Sequence, residues 1–289
     1  MCYLFRGNSY MKANLGNNTQ LLNIPPFIRA VAYHHTVPSM AASLRRQLKY
    51  FQRHYRCIVE EDLAAFFAEA SAPASRGEKP GLIISFDDGL SQHYHTAAPL
   101  LEEYGFRGWF FVPAALPLMP TESQKAFCDA HDLLLPNSSE TRIGINREEL
   151  LNLKRRGHVI GCHTMNHRRF SGEVDAKLLD SEVKVAQDTF ASLFGSPPRS
   201  FAWVGGEPET YNPFIQENLE QEGFTYSFTT MSKKIKRNSN PLMLHRTVLN
   251  ADMPYLFFLA KIEGLSDLAH RGRRRAIEAR LGVSSEQKA

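Results

Sequence analysis

Residues 148–167 read EELLNLKRRGHVIGCHTMNH and combine an amphipathic helix, a glycine and a short apolar strand. Gly157 stands where a helix end needs a left-handed residue, and β-rich apolar residues follow at once. The same order of helix, glycine and strand recurs at Gly105, Gly195 and Gly223. Short buried strands that alternate with amphipathic helices predict a parallel sheet, either open or closed into a barrel.

The chain has 289 residues and a formal net charge of +4. This length suits one large α/β domain or two small ones, and the small charge gives no indication of a nucleic acid partner. The four cysteines are scattered without paired spacing, no secretory signal opens the chain, and no apolar run is long enough to span a bilayer. We therefore predict a cytoplasmic protein with reduced thiols and no transmembrane segment.

Three regions are predicted along the chain. We expect a loose N-terminal arm over residues 1–24, a barrel domain over 25–255 and a C-terminal helical extension over 256–289. The segment 117–146 reads as a long irregular loop, and a loop of that length often forms a site wall. The extension carries the basic run HRGRRRAIEARLG at 270–282. That run predicts either peripheral contact with an anionic membrane or, more commonly, a solvated helix face.

Two clusters of polar residues follow predicted strands. Asp87 and Asp88 come directly after the apolar run 82–84, and His163 and His167 follow the strand 159–162. Each cluster alone has an ordinary explanation, a turn for the carboxylates and chance spacing for the histidines. Both, however, lie at the carboxyl ends of strands, where parallel α/β folds build their sites. Together they supply two nitrogens, one oxygen and a spare carboxylate, which suits a catalytic metal site with an open position.

These clusters resemble two motifs of the polysaccharide deacetylase (NodB-homology) family, carbohydrate esterase family 4. SFDDG at 85–89 is similar to the family's T/S-F-D-D-G motif, and HTMNH at 163–167 is similar to its H-S/T-x-x-H motif. YHHTV, LLEEYGFRGWFFVPA and RSFAWVGG also resemble family landmarks, so that the resemblance covers about residues 27–250. It implies a distorted (β/α) barrel, related to the TIM barrel, with about seven strands.

The resemblance also implies the roles of four residues. Asp88, His163 and His167 would bind one divalent metal ion, and Asp87 would be the general base for the attacking water. Zinc is the expected metal, although a site of two histidines and one aspartate also suits cobalt, nickel or iron.

The segment at 201–206 departs from the family pattern. It reads FAWVGG, so Val204 and Gly205 replace the Pro and Tyr of the family's F-A-Y-P-Y-G motif. The N–H of Gly205 remains a candidate for binding the oxyanion, since any residue except proline has one. Trp203 is a candidate for stacking on a sugar ring or for the core, and Glu207 is a candidate for binding sugar hydroxyls or for a solvated position.

Two further catalytic candidates lie together in a late predicted strand. Another family branch has an Arg where this chain has Ala202, and Arg246 is expected to take over the contact with Asp87. His245 is the candidate for protonating the leaving amine, because the family uses a late histidine for this step. His34 and His35, after the first strand, are the alternatives.

The sequence thus predicts metal-dependent hydrolysis of an N-acetyl or N-formyl group on an amino sugar. Cytoplasmic placement favours a nucleotide-linked or lipid-linked precursor of a surface polysaccharide as the substrate. Two other functions stay open: a catalytically inactive carbohydrate-binding barrel, and a related metal hydrolase acting on a non-sugar amide. The altered segment at 201–206 favours the inactive barrel, whereas the complete set of metal ligands with Asp87 speaks against it.

Overall fold

The computed structural model of the chain describes residues 27–68, 78–133, 135 and 142–280. The arm predicted over 1–24 lies outside these described residues. The strands are β1 Ile28–Tyr33, β2 Arg56–Cys57, β3 Gly81–Phe86, β4 Gly108–Val112, β5 Val159–Cys162, β6 Ser200–Ala202, β7 Tyr226–Thr229, β8 Leu244–His245 and β9 Thr247–Val248.

The strands form one parallel sheet with the order β8-β7-β6-β5-β4-β3-β1-β9, and β2 pairs with β3 outside this path. Arg246 alone separates β8 from β9 along the chain. Because β8 pairs with β7 while β9 pairs with β1, the segment 244–248 joins the two ends of the sheet. The sheet is therefore a distorted barrel, which confirms the predicted fold.

Helices surround this barrel. They are α1 Ala41–His54, α2 Glu60–Ala68, α3 Ala98–Glu103, α4 Thr121–Ala130, α5 Arg147–Arg155, α6 Ala176–Leu179, α7 Val185–Phe194, α8 Pro213–Asn218, α9 Tyr255–Ile262, α10 Leu265–Ala269 and α11 Arg271–Arg280. Short 3-10 turns occur at Pro38–Met40, Leu116–Leu118 and Pro241–Met243, and π-helical turns at His93–Ala97 and Asp180–Lys184. Among the described residues, no helix combines the length and apolar character needed to cross a bilayer.

The segment 117–146 is not the wholly irregular loop that the sequence suggested. It contains the ten-residue helix α4, which buries Gln124, Phe127 and Cys128. These positions are three and four residues apart and share one face of the helix. Two of the three are polar or small, so the apolar periodicity was too weak to reveal the helix from sequence.

Aromatic side chains fill the barrel interior. Trp109 on β4 contacts Phe228 on β7, with ring centroids 5.6 Å apart, although two strands separate β4 from β7 in the sheet. Phe111 also contacts Phe228, at 5.5 Å. A Cβ at Gly161 on β5 would come within 2.4 Å of the ring of Phe111 on β4. Only glycine at position 161 therefore leaves room for this ring. Leu82, Ile84 and other alternate residues face outward into the cluster under the helices.

A buried polar cluster ties the C-terminal helices to the outside of the barrel. Nη1 of Arg29 on β1 donates to both carboxylate oxygens of Asp267 on α10, at 2.7 and 2.9 Å. Ser232 donates to the same carboxylate and shares a hydrogen bond of 2.6 Å with Thr247 on β9. The backbone N–H of Ser232 donates to Nδ1 of His270 at 2.9 Å. These contacts join α10 directly to strand β1 and, through Ser232, to strand β9.

Candidate metal centre and catalytic site

Three buried side chains meet at the carboxyl edge of the barrel. Oδ1 of Asp88, after β3, lies 3.5 Å from Nε2 of His163 and 3.2 Å from Nε2 of His167, both after β5. One ligand atom from each residue lies within 4.8 Å of the other two. Metal–ligand distances near 2.1 Å in a tetrahedral site put neighbouring ligands about 3.4 Å apart. The two nitrogens and one oxygen therefore fit a divalent transition metal, with a further position open.

The backbone at these ligands is left-handed. Asp88 has φ 76°, Thr164 has φ 65° and His167 has φ 58°, and none of these residues is glycine. Such a conformation is uncommon for residues with a Cβ and costs on the order of 1–3 kcal/mol when the residue is strained. Strain of this kind collects at functional sites, and here it affects two of the three candidate ligands.

Backbone carbonyls fix the orientation of both histidines. Nδ1 of His163 donates to the carbonyl of Ala202, and Nδ1 of His167 donates to the carbonyl of His131, each at 2.8 Å. A carbonyl oxygen only accepts, so the proton sits on Nδ1 and the lone pair of Nε2 points toward Asp88. This is the tautomer that a metal-binding histidine needs.

Glu182 holds the turn that carries the two histidines. Its carboxylate accepts from the backbone N–H and the Nδ2 of Asn166, both at 2.9 Å, and its backbone carbonyl accepts from Met165 at 2.8 Å. Neither Glu182 nor His131 was among the residues singled out from the sequence. Both residues act through hydrogen bonds between distant segments, and no local sequence pattern predicts such contacts.

The neighbouring histidines keep Asp88 ionised. Burial alone would raise the pKa of Asp88, but the interactions of its carboxylate with His163, His167 and His34 bring that pKa well below its usual range. The side chain is therefore a carboxylate at neutral pH, which is the form that binds a cation.

Asp87 sits beside the ligands and forms a buried ion pair. Nη1 of Arg246 donates to Oδ1 of Asp87 at 2.6 Å and to Oγ of Ser85 at 2.9 Å. Burial would raise the pKa of Asp87, but the charge of Arg246 and the neighbouring imidazoles of His163 and His34 lower it below its ordinary value. Arg246 thus makes the contact with Asp87 that was expected from the sequence. Its part in catalysis stays a prediction.

Gly205 and Glu207 lie together in the loop after β6. Gly205 has φ 82°, and a Cβ built there would come within 2.7 Å of Oε2 and 2.9 Å of Oε1 of Glu207. The carboxylate therefore occupies the space where the side chain of the family's tyrosine would begin. Oε1 of Glu207 also lies 3.4 Å from Nη1 of Arg169, two residues beyond the ligand His167. The oxyanion role of Gly205 and the substrate-binding role of Glu207 both stay predictions.

Trp203 is a core residue, and the prediction that it stacks on a sugar is wrong. Its side chain is fully buried and packs against Phe170, Phe201 and Tyr211, with ring centroids between 4.6 and 6.0 Å away. Its indole N–H donates to Oγ of Ser227 at 3.3 Å. No face of the ring remains for a ligand.

The structure does not bring His245 to the metal site. Because successive residues of a strand point to opposite faces, the inward position of Arg246 turns His245 outward. Its Nδ1 shares a hydrogen bond of 2.7 Å with Oγ1 of Thr229. Burial first, and then the positive charges of Lys233, Arg274 and His270, lower the pKa of His245 to about 3. An imidazole that is neutral at pH 7 lacks the acidic proton of the imidazolium, and His245 faces away from the carboxylates, so the predicted role is wrong.

His34 is a further histidine near Asp87 and Asp88. It follows β1, is half-buried, and its charge lowers the pKa of both Asp87 and Asp88. The carbonyl of His34 accepts from Nε2 of His93 at 2.6 Å, which fixes the backbone at this point. His35 is close enough to feel the charge of Asp88, and burial, followed by the charge of His34, lowers its pKa.

Comparison with known proteins identifies the class to which this barrel and site belong. A sequence profile described as polysaccharide deacetylase matches residues 74–227, more than half of the chain. The chain belongs to the polysaccharide deacetylase family, as the sequence motifs predicted. The protein YxkH of Bacillus subtilis (strain 168), whose name assigns it to the polysaccharide deacetylases, is 23% identical over 239 residues. That match covers 81% of this chain and 76% of YxkH.

Solved structures share the fold. The Streptococcus pyogenes deacetylase PplD, determined in complex with acetate, superposes with a TM-score of 0.64 at 18% identity, covering 82% of this chain and 99% of PplD. IcaB from Ammonifex degensii superposes with a TM-score of 0.62 at 17% identity, covering 84% and 97% of the two chains. At these identities the structural similarity shows the fold alone. Membership of the polysaccharide deacetylase family places this chain among the carbohydrate deacetylases.

Proposed function

We propose that this protein is a metal-dependent N-deacetylase that removes an acetyl or formyl group from an amino sugar. The observation that carries the proposal is the convergence of Asp88, His163 and His167 beside the ion pair of Asp87 and Arg246. The ligand set fits one divalent ion, and zinc is the ion we propose. When bound, such an ion would polarise the amide carbonyl and lower the pKa of water at the site.

Asp87 is the proposed general base. Arg246 engages Oδ1 of Asp87, which leaves Oδ2 to accept a proton from the attacking water. The lowered pKa of Asp87 keeps this carboxylate ionised at neutral pH and ready to accept that proton. Ser85 and Arg246 hold the side chain in one orientation, so that little reorganisation accompanies the proton transfer.

The N–H of Gly205 and the side chain of His34 are proposed to complete the reaction. The N–H would donate to the oxygen that gains negative charge as water adds to the amide carbonyl. His34, in its protonated form, would give a proton to the departing nitrogen, because an amine anion is a very poor leaving group. This role falls to His34 because its charge acts on both catalytic carboxylates, whereas His245 faces away from them.

The finer proposal for the substrate is an amino sugar, nucleotide-linked or lipid-linked as the sequence suggested. Support for the sugar part comes from the loop after β6, where Gly205 replaces the family's tyrosine and the Glu207 carboxylate lies over it. A pocket wall formed by a carboxylate favours a hydroxyl-rich or amine-bearing sugar, whereas an aromatic wall favours stacking on a sugar face.

Metal analysis combined with turnover assays tests this proposal. The purified protein is analysed for bound metal and assayed with N-acetylchitooligosaccharides, N-acetylated and N-formylated nucleotide sugars, and a simple non-sugar amide. We expect bound zinc, release of acetate or formate from a sugar, and loss of turnover on chelation that zinc restores. No metal and no turnover would favour a carbohydrate-binding barrel, and turnover on the non-sugar amide alone would favour a different hydrolase.

Two buried histidines provide a matched pair of variants. His163→Gln removes a proposed ligand, whereas His245→Gln removes a buried imidazole on the outer side of the barrel. Only the first should lose its metal and its turnover. Equal metal content in both variants would exclude His163 as a ligand.

A further inference from the structure

Four large apolar side chains on α9 and α10 are exposed. Their exposed fractions are 79% for Leu256, 65% for Phe257, 57% for Leu265 and 74% for Leu268, and we call this group the apolar ridge. Among the described residues, the only other exposed large apolar side chains are Leu118, Val185 and Phe214, and each of these lies on a different element. Single exposed apolar residues are normal, but a group of four on neighbouring helices indicates a contact surface.

The core does not use the apolar ridge. Helix α9 packs on the barrel through Phe258 and Ile262, both fully buried, which lie on the side opposite the ridge. The ring of Phe258 contacts Tyr50 of α1 at 5.5 Å, so the inner face of α9 is already satisfied. The ridge residues therefore add nothing to the packing of α9 and stay available for a partner.

Positive charge flanks the apolar ridge on one side through α1. This helix carries Arg45, Arg46, Lys49 and Arg53 and contains no Asp or Glu. Arg46 stacks on the ring of Tyr255, 3.8 Å from the ring centroid, and so places the basic face of α1 next to Leu256. Lys49 and Arg53 are exposed and form no ion pair with a carboxylate among the residues that the structure describes.

Helix α11, which contacts α10, carries further positive charge. Arg271 and Arg275 are exposed, lie four residues apart on one face, and likewise have no carboxylate partner within the described ranges. Of the acidic residues nearby, Asp267 pairs with Arg29, whereas Glu263 accepts a hydrogen bond from the neutral Tyr50 hydroxyl and keeps its charge. The helices that contact α9 and α10 therefore carry an excess of exposed cations.

We propose that the apolar ridge and its basic flanks dock this protein on an anionic lipid bilayer. Apolar side chains surrounded by Lys and Arg are the combination that holds a helix in the interface of an anionic membrane. A second copy of this chain is a poorer occupant, because a two-fold contact through the ridge would bring the same cations together. The surface is separate from the metal centre, so this inference stands whether or not the proposed substrate is correct.

Vesicle binding tests the proposal with the full-length protein. Co-sedimentation is measured with vesicles of phosphatidylcholine alone and with vesicles that also contain phosphatidylglycerol. We expect binding to the anionic vesicles only, weakened by added salt because screening reduces attraction between charges and the surface. The double variant Leu256→Ser/Phe257→Ser and the double variant Lys49→Glu/Arg53→Glu should each weaken this binding at least about tenfold.

The control is a double variant at exposed apolar residues away from the ridge. Val185→Ser/Phe214→Ser removes comparable apolar side chains from α7 and α8 and should bind anionic vesicles like the unchanged protein. Thermal unfolding verifies that all variants are folded. The proposal is overturned by failure to bind anionic vesicles, by equal loss in the control, or by a concentration-dependent dimer that only the ridge variant abolishes without any vesicle binding.

Discussion

The inner and outer faces of the segment 244–248 carry two different kinds of polar residue. On the inner face, Arg246 contacts the carboxylate of Asp87, the proposed general base, at 2.6 Å. On the outer face, His245 bonds to Thr229, and Thr247 joins the cluster of Ser232 and Asp267. All of these groups are buried except Asp267, which is half-buried. Burial and polarity alone therefore do not mark a candidate catalytic residue; the face of the strand decides which polar group lies at the proposed site.

The largest effect is expected on the inner face, at the residue that Arg246 contacts. Asp87→Asn should lower turnover about a thousandfold, since a positioned general base contributes on the order of 10²–10⁴. Metal content should stay unchanged because Asp88, not Asp87, belongs to the ligand set. Steady-state kinetics with metal analysis measures both. Near-normal turnover would show that another group takes the proton from water.

A smaller loss is expected when Arg246 itself is changed. Arg246→Gln should lower turnover by roughly ten- to a hundredfold, since the base remains but loses its orientation and its compensating charge. Because the charge of Arg246 lowers the pKa of Asp87, its removal raises that pKa. The acidic limb of the kcat/KM profile should therefore move to higher pH. Arg246→Lys keeps the positive charge and should therefore show a smaller shift. An acidic limb that does not move in Arg246→Gln would contradict the pairing of Arg246 with Asp87.

On the outer face, the expected loss is in stability and not in chemistry. Asp267→Asn leaves the fully buried Arg29 without its carboxylate and should lower the free energy of unfolding by about 3 kcal/mol. Asp129→Asn, which breaks the exposed pair with Lys125, is the control and should cost less than about 1 kcal/mol. Urea unfolding measures the difference. Equal small losses would mean that the buried pair contributes no more than a surface one.

The smallest effect is expected at His245. His245→Gln keeps a polar partner for Thr229, so turnover should stay within about twofold and stability should fall by roughly 1 kcal/mol. The pH dependence of turnover should be unchanged, because the imidazole, with a pKa of about 3, is neutral over the working range. A large fall in turnover, or a lost limb of the pH profile, would return His245 to the reaction.

The barrel could be predicted from the sequence, and the candidate metal ligands could be singled out there, because their signals are local. Glycines such as Gly157 mark the ends of helices, and the candidate ligands Asp88 and His163 follow apolar strands closely. The proton donor could not be predicted in the same way. A shift of one residue in strand phase exchanges the inward and outward positions of His245 and Arg246, and sequence does not fix that phase.

Other parts of the site depend on contacts between segments far apart in the chain. The carbonyl of His131 orients His167 across 36 residues, and the carbonyl of Ala202 orients His163 across 39. Any residue has a carbonyl, so no side-chain pattern identifies these two. The sequence likewise left open whether Trp203 packs in the core or stacks on a sugar, since an aromatic residue beside a site suits either role.

We propose that Asp88, His163 and His167 hold the catalytic metal. Anomalous diffraction at the zinc absorption edge from crystals of the zinc-loaded protein tests this proposal. We expect one anomalous peak, about 2.0–2.2 Å from a carboxylate oxygen of Asp88 and from Nε2 of each histidine. An anomalous peak elsewhere, with these three residues in contact only with one another, would contradict it.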